Sequence, residues 1–164
     1  MTKKVFLRTL MIVTSLVIIV GIIIMNWVFN SYEGKNVIKV KLNDGQTEAL
    51  QFDNLALIPG ESCEYKVKLK RGGAAEFDLH LSFDEKEDHG LGNFARVKIS
   101  SGDELLYDEL LAVAFEKCDV IVPVSFKEDE YTEFTVEFYL PIEVGNEAKN
   151  AGSVFELILT ANNE

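Results

Sequence analysis

Two patterns of apolar positions divide the chain. Leu10 to Phe29 is one apolar run without a charge, about 30 Å long as a helix and so one bilayer core thick. Beyond residue 36 the apolar positions recur at every second residue, the period of a strand with one buried face. Val37 to Leu42 alternates apolar and basic residues, and Asn43-Asp44-Gly45 predicts a tight turn after it. Glu48 to Phe52 is a second expected strand. Ser62 to Lys70 is the clearest alternation, with Cys63, Tyr65, Val67 and Leu69 facing in and Glu64, Lys66, Lys68 and Lys70 facing out. Glu76 to Phe83 repeats it, with Phe77, Leu79, Leu81 and Phe83 inward.

Asp84 to Asn93 reads as a loop, followed by a strand over Phe94 to Ile99 and a hairpin turn at Ser101-Gly102 into Glu104 to Tyr107. Only Asp108 to Glu116 has helical spacing, with Leu111, Ala114 and Phe115 on one face. Cys118 to Lys127 and Tyr131 to Leu140 are expected strands flanking the acidic turn Glu128-Asp129-Glu130. After a loop from Gly145 to Gly152, Val154 to Thr160 closes the pattern. Eight or nine short strands with at most one short helix predict an all-β fold, a two-sheet sandwich of jelly-roll type. The expected division is a cytoplasmic stub over 1–8, a transmembrane anchor or signal over 9–30, a linker over 31–36 and an extracellular β-sandwich over 37–164.

Charge orients this division. Lys3, Lys4 and Arg8 precede the apolar run, and all 27 Asp and Glu follow it. Basic residues stay on the cytoplasmic side, which sends the remainder outward. Thirteen cations against 27 anions leave that remainder a formal charge of −14. Such a surface disfavours nucleic acid and anionic headgroups as partners. A cleaved signal has a shorter apolar core followed by small residues. Here the run ends Asn26-Trp27-Val28-Phe29-Asn30-Ser31, and Trp27 and Tyr32 read as interfacial aromatics. A retained single-pass anchor is therefore favoured, with secretion after signal removal as the alternative.

The cysteines are Cys63 and Cys118, which leaves open a disulfide or two buried thiols on different strands. Asp84, Glu85, Glu87 and Asp88 are the densest carboxylates and a weak Ca²⁺ candidate, with a solvated loop as the plainer reading. His80 and His89 are the only histidines, and no His-Glu-x-x-His occurs. The phenylalanines at 77, 83, 126, 134, 138 and 155 fall on strand patterns and read as core. An edge strand at Val37, Ile38, Lys39, Val40, Lys41 and Leu42 would offer unpaired backbone for strand addition, with its lysines as charges that discourage it.

Three stretches, in order, resemble the camelysin/TasA family of Gram-positive surface proteins. They are Val37-Ile-Lys-Val-Lys-Leu-Asn-Asp-Gly45, Phe52-Asp-Asn-Leu-Ala-Leu-Ile-Pro-Gly-Glu-Ser62, and Tyr139-Leu-Pro-Ile-Glu-Val-Gly-Asn-Glu-Ala-Lys-Asn-Ala-Gly-Ser-Val-Phe155. The resemblance implies a jelly-roll-like domain, export, and a role in the cell surface or a biofilm matrix. The family's small residues after the apolar run are missing here. Some members are described as metallopeptidases, but a zinc peptidase needs two imidazoles on one helical face with a third ligand and a base. The expectation is therefore a non-enzymatic surface or matrix protein without cofactor, partnered by membrane, by like subunits or by surface proteins. The alternatives are a surface metallopeptidase and a membrane-tethered accessory subunit of an envelope or export assembly.

Overall fold

A computed structural model describes residues 36–124 and 131–163. The chain divides into two units, Met1–Asn36 and Val37–Glu164, and the fold below is that of the second. The apolar run at Leu10 to Phe29 lies outside the described residues, as do Phe126 and the turn Glu128-Asp129-Glu130. Among the described residues no helix is long and apolar enough to cross a membrane.

Among the described residues alternation generates nine strands: β1 (Val37–Leu42), β2 (Thr47–Leu55), β3 (Ser62–Arg71), β4 (Asp78–Asp88), β5 (Arg96–Ser101), β6 (Glu104–Leu110), β7 (Val120–Val122), β8 (Tyr131–Tyr139) and β9 (Ser153–Asn162). One short helix, α1 (Leu111–Lys117), joins β6 to β7. The strands form two sheets, ordered β1-β3-β8-β5-β6 and β2-β9-β4-β7. The described part of this unit is thus an all-β two-sheet sandwich. All pairs are antiparallel except β1 with β3.

The inward positions meet as the period requires. Phe52, Phe83 and Phe155 from the four-stranded sheet face Tyr65 and Phe138 from the five-stranded one. Phe52 stacks on Phe155 with ring centroids 5.0 Å apart, and Phe138 meets Phe155 edge-on at 5.3 Å. Leu79, Leu81, Val97, Ile99, Val136, Leu157 and Leu159 are fully buried around them. Burial of this interleaved apolar layer is the main stabilising term.

Several elements depart from the sequence pattern. Asn43-Asp44-Gly45 does turn, with Gly45 at φ 75°, but it carries the chain from one sheet to the other rather than closing a hairpin. The Gly45 N–H donates to Ala161 O at 2.7 Å, which ties the turn to the end of β9. β2 outruns its expected end and bends after Phe52, where Asn54 takes φ 60° and the register shifts. The expected loop at Asp84 is strand as far as Asp88, because β9 is long enough to pair with it to Ser153. Among the described residues β7 pairs with β4 only from Leu79 to Leu81. Asp108 to Leu110 extends β6 rather than starting the helix, since Asp108 pairs with Lys98 across a hairpin. The strand expected from Cys118 is confined to Val120–Val122 among the described residues.

A candidate interaction surface

The outer face of the five-stranded sheet carries lysines on its β1 and β3 strands and an Arg96–Asp108–Tyr139 network farther across. Its side chains are set by strand parity and register. Lys39 of β1 lies beside Lys68 of β3, and Lys41 beside Lys70. Lys66 completes a group of five lysines on these two strands. The next strand across, β8, brings Thr135 opposite Lys66, Glu133 opposite Lys68 and Tyr131 opposite Lys70. Lys68 Nζ lies 2.7 Å from Glu133 Oε1, and Lys70 Nζ sits 5.9 Å from the Tyr131 ring centroid.

Farther across, Arg96 of β5 meets Asp108 of β6 on the diagonal, the register setting Arg96 opposite Leu110 and Asp108 opposite Lys98. Asp108 Oδ1 accepts from Arg96 Nε at 3.0 Å and from the Tyr139 hydroxyl at 3.1 Å. Arg96 Nη2 lies 2.9 Å from the same oxygen and donates to the Asp108 carbonyl at 3.0 Å. The hydrogen bond to Asp108 raises Arg96 above its ordinary pKa. Burial, then the bond to Asp108, raises Tyr139. The site is a fixed charge pair with its tyrosine held protonated, well suited to positioning and not to proton transfer near neutrality.

Beside this network an open cleft of about 560 Å³ is lined by Ser62, Lys98, Asp108, Glu137, Tyr139 and Ile142. The β2–β3 turn is fastened to it, since the Gly60 N–H donates to Leu140 O at 2.8 Å and Leu140 N–H to Glu61 O at 3.0 Å. Ile58 and Ile142 remain largely exposed, at 64% and 71%.

The residues singled out by sequence do not gather at one point. β1 is an edge strand, with Val40 and Leu42 buried and Lys39 and Lys41 exposed. Of the acidic run, Asp84 Oδ2 lies 2.6 Å from Lys86 Nζ, which also reaches Glu156 at 3.2 Å. These partners raise the Lys86 pKa, Asp84 more than Glu156. Asp88 Oδ1 accepts from the Gly92 N–H at 3.1 Å, while Glu85 and Glu87 straddle a register shift. Among the described residues no three His, Cys, Asp or Glu side chains converge on a metal-sized volume.

His80 sits on β4 with Nδ1 3.2 Å from Asp119 Oδ1, and its buried Nε2 has no hydrogen-bond partner. His89 lies just past the far end of that strand, with Nε2 3.6 Å from Glu87 Oε2. Nine residues of extended chain put the two histidines on the order of 30 Å apart, too far to share an ion. Cys63 and Cys118 are both free thiols. Cys118 is buried with Sγ 3.7 Å from Leu81 O, and burial, then the Asp119 charge, pushes its pKa up to about 12.

Sequence reasoning missed the Arg96–Asp108–Tyr139 network and the alignment of the lysines. The first had a signal, because Arg96 and Asp108 lie on the two arms of the hairpin that Ser101-Gly102 predicts. No protein-family model matches the chain, and no curated protein matches it.

Proposed function

We propose that the protein is a non-enzymatic surface protein whose acidic sandwich is displayed outside a membrane by an N-terminal anchor. The observation that carries this reading is the order Lys3-Lys4-Arg8, an uncharged run from Thr9 to Tyr32, then every acidic residue. That order is the charge asymmetry of a single-pass protein with its C-terminal domain outward. The domain would act through contacts with matrix, wall or like subunits.

The strand order supports a jelly-roll reading of the sandwich. Setting β1 aside, each sheet interleaves early and late strands, β2-β9-β4-β7 against β3-β8-β5-β6, as two nested Greek keys do. This is also the fold that the resemblance to camelysin/TasA proteins implies, and we place the chain beside that family on the three ordered motifs. The separation of His80 from His89 favours the non-enzymatic reading over a zinc peptidase.

Mass spectrometry of the mature chain from the membrane fraction tests the anchor. A chain retaining residues 1–30 is the expected result, and a mature start near Ser31 in the medium would replace anchoring with release. Metal analysis of the purified protein tests the second point, since stoichiometric zinc lost on substituting His80 would restore the peptidase reading.

A further inference from the structure

We infer that the cleft over β8 and β5 binds an uncharged, equatorially linked polysaccharide, seating one pyranose ring against Tyr139. The proposal deepens the display reading by naming a partner, and it rests on that reading for compartment alone.

Register supplies the aromatic floor. Tyr139 stands on β8 and Asp108 on β6, with β5 between them, so their backbones lie about 9.6 Å apart. The Tyr139 hydroxyl nevertheless reaches to 3.1 Å from Asp108 Oδ1. A ring laid along the sheet spans that gap, and one standing off the sheet does not. Arg96 Nε donates to the same carboxylate at 3.0 Å, so the group that pins the ring is itself fixed. The pinned ring lines the cleft together with Pro141 and Ile142. An aromatic face is electron-rich. The axial C–H bonds of a pyranose with equatorial hydroxyls form a weakly positive face that matches it.

Polar groups stand beside the ring at the height of those hydroxyls. Register sets Lys98 opposite both Glu137 and Asp108. Lys98 Nζ lies 3.9 Å from Glu137 Oε2, a loose pairing that leaves ammonium donors and carboxylate acceptors for a ligand. Two vicinal hydroxyls, each a donor and an acceptor, can bridge them.

The same pairing selects against ions. Lys98 is the one cation among the described lining residues, and Glu137 already matches it. An anion would meet the carboxylates of Glu61 and Glu137, and a cation would compete with Lys98 for Glu137. Neutral hydroxyls displace neither partner. Strand addition by a peptide needs an open edge, whereas β8 and β5 are each paired on both sides. The volume, about 560 Å³, suits one or two sugar rings and lies within the ordinary range of small-ligand sites. The cleft is open along the sheet, which lets a polymer continue past it.

The test is titration of the full chain with cellohexaose, in a polyoxyethylene detergent that carries no sugar of its own. Binding with a Kd on the order of 1 mM is expected, the scale for one sugar ring engaged in an open site. Affinity should change less than ~2-fold between about 50 and 500 mM salt, because no ionic contact forms. Amide resonances of Ser62, Lys98, Glu137 and Tyr139 should shift, while those of Ser82 and Ile158 on the other sheet should not. Glu137→Ala should weaken binding ~10-fold as a charged acceptor is lost. Glu137→Gln, which keeps an acceptor oxygen, should bind within ~3-fold of the parent. Tyr139→Ala should abolish binding, and unchanged amide shifts away from the cleft would show that its fold survives.

Absence of cellohexaose binding overturns the proposal, as does binding that leaves the cleft amides unmoved or survives Tyr139→Ala. Salt-sensitive binding lost equally in Glu137→Gln and Glu137→Ala would assign the cleft to a cation instead. Sugar binding by the purified chain does not depend on topology, so a failed anchor and a failed saccharide contact give separate results.

Discussion

Burial keeps the Cys118 thiol protonated, and this has a measurable consequence for alkaline stability. Its folded pKa, about 12, lies above the ordinary 9.0. The stability it contributes is therefore complete below pH 9 and falls away as pH rises toward 12, where the unfolded chain ionises first. Burial, then the bond to Cys63, raises Tyr65 from 10.0 to about 12 and adds to the loss over the upper part of that window. Urea melts across this range should show a falling midpoint, and Cys118→Ala should reduce the fall below pH 10. A flat midpoint would contradict the burial. At Gly72 the constraint is space, not φ. An added Cβ would collide with the Asn43 side chain, whose Nδ2 donates to Gln46 Oε1 at 3.1 Å. Gly72→Ala should cost about 1 kcal/mol as that bond is given up, and Asn43→Ala in the same background should relieve the clash. Parity alone assigned Phe77, Leu79 and Leu81 to the interior correctly, because each lies within a long alternating run. It made Cys63 an inward residue too, but Cys63 stands near a strand end and is only half-buried. No single-residue pattern reveals a close approach such as that of Gly72 to Asn43, which depends on chain brought together from two strands.

At the scale of elements, β4 separates local pattern from tertiary pairing. Asp84 to Asp88 is charged enough to read as loop, yet β9 supplies it with a complete backbone ladder, interrupted only by a bulge. Amide hydrogen exchange should find its β9-paired amides protected well beyond that of Gly90, past the end of the strand. Equal, fast exchange would return the segment to a loop. The β5–β6 hairpin makes a second expectation. Asp108→Ala removes the shared acceptor of Arg96 and Tyr139 and should cost about 1 kcal/mol in a thermal or urea melt, modest because the pair is a third exposed. Strand existence was readable almost throughout, since alternation is a local consequence of one buried face. Strand ends were not, because the length of each ladder is set by its partner, which lies far away in sequence. The turn at Asn43 shows the same limit: its residues specify a bend and carry no information on which sheet follows.

Across the whole molecule, the sandwich class follows from strand count and turn spacing, while the order of strands within each sheet does not. The lysine face illustrates why. Lys39 and Lys41 stand more than twenty residues from Lys66 in sequence and become neighbours only through the parallel pairing of β1 with β3. Net charge, summed over the chain, hid that face. The apolar run before the sandwich is legible in sequence alone, and the outward destination proposed for the domain depends on it. That destination is tested most directly by treating sealed cells with an amine-reactive label that cannot cross a membrane. Lysines of the sandwich, Lys39, Lys41 and Lys66 among them, should be modified on intact cells to the same extent as after lysis. Modification only after lysis would contradict the outward display of the domain.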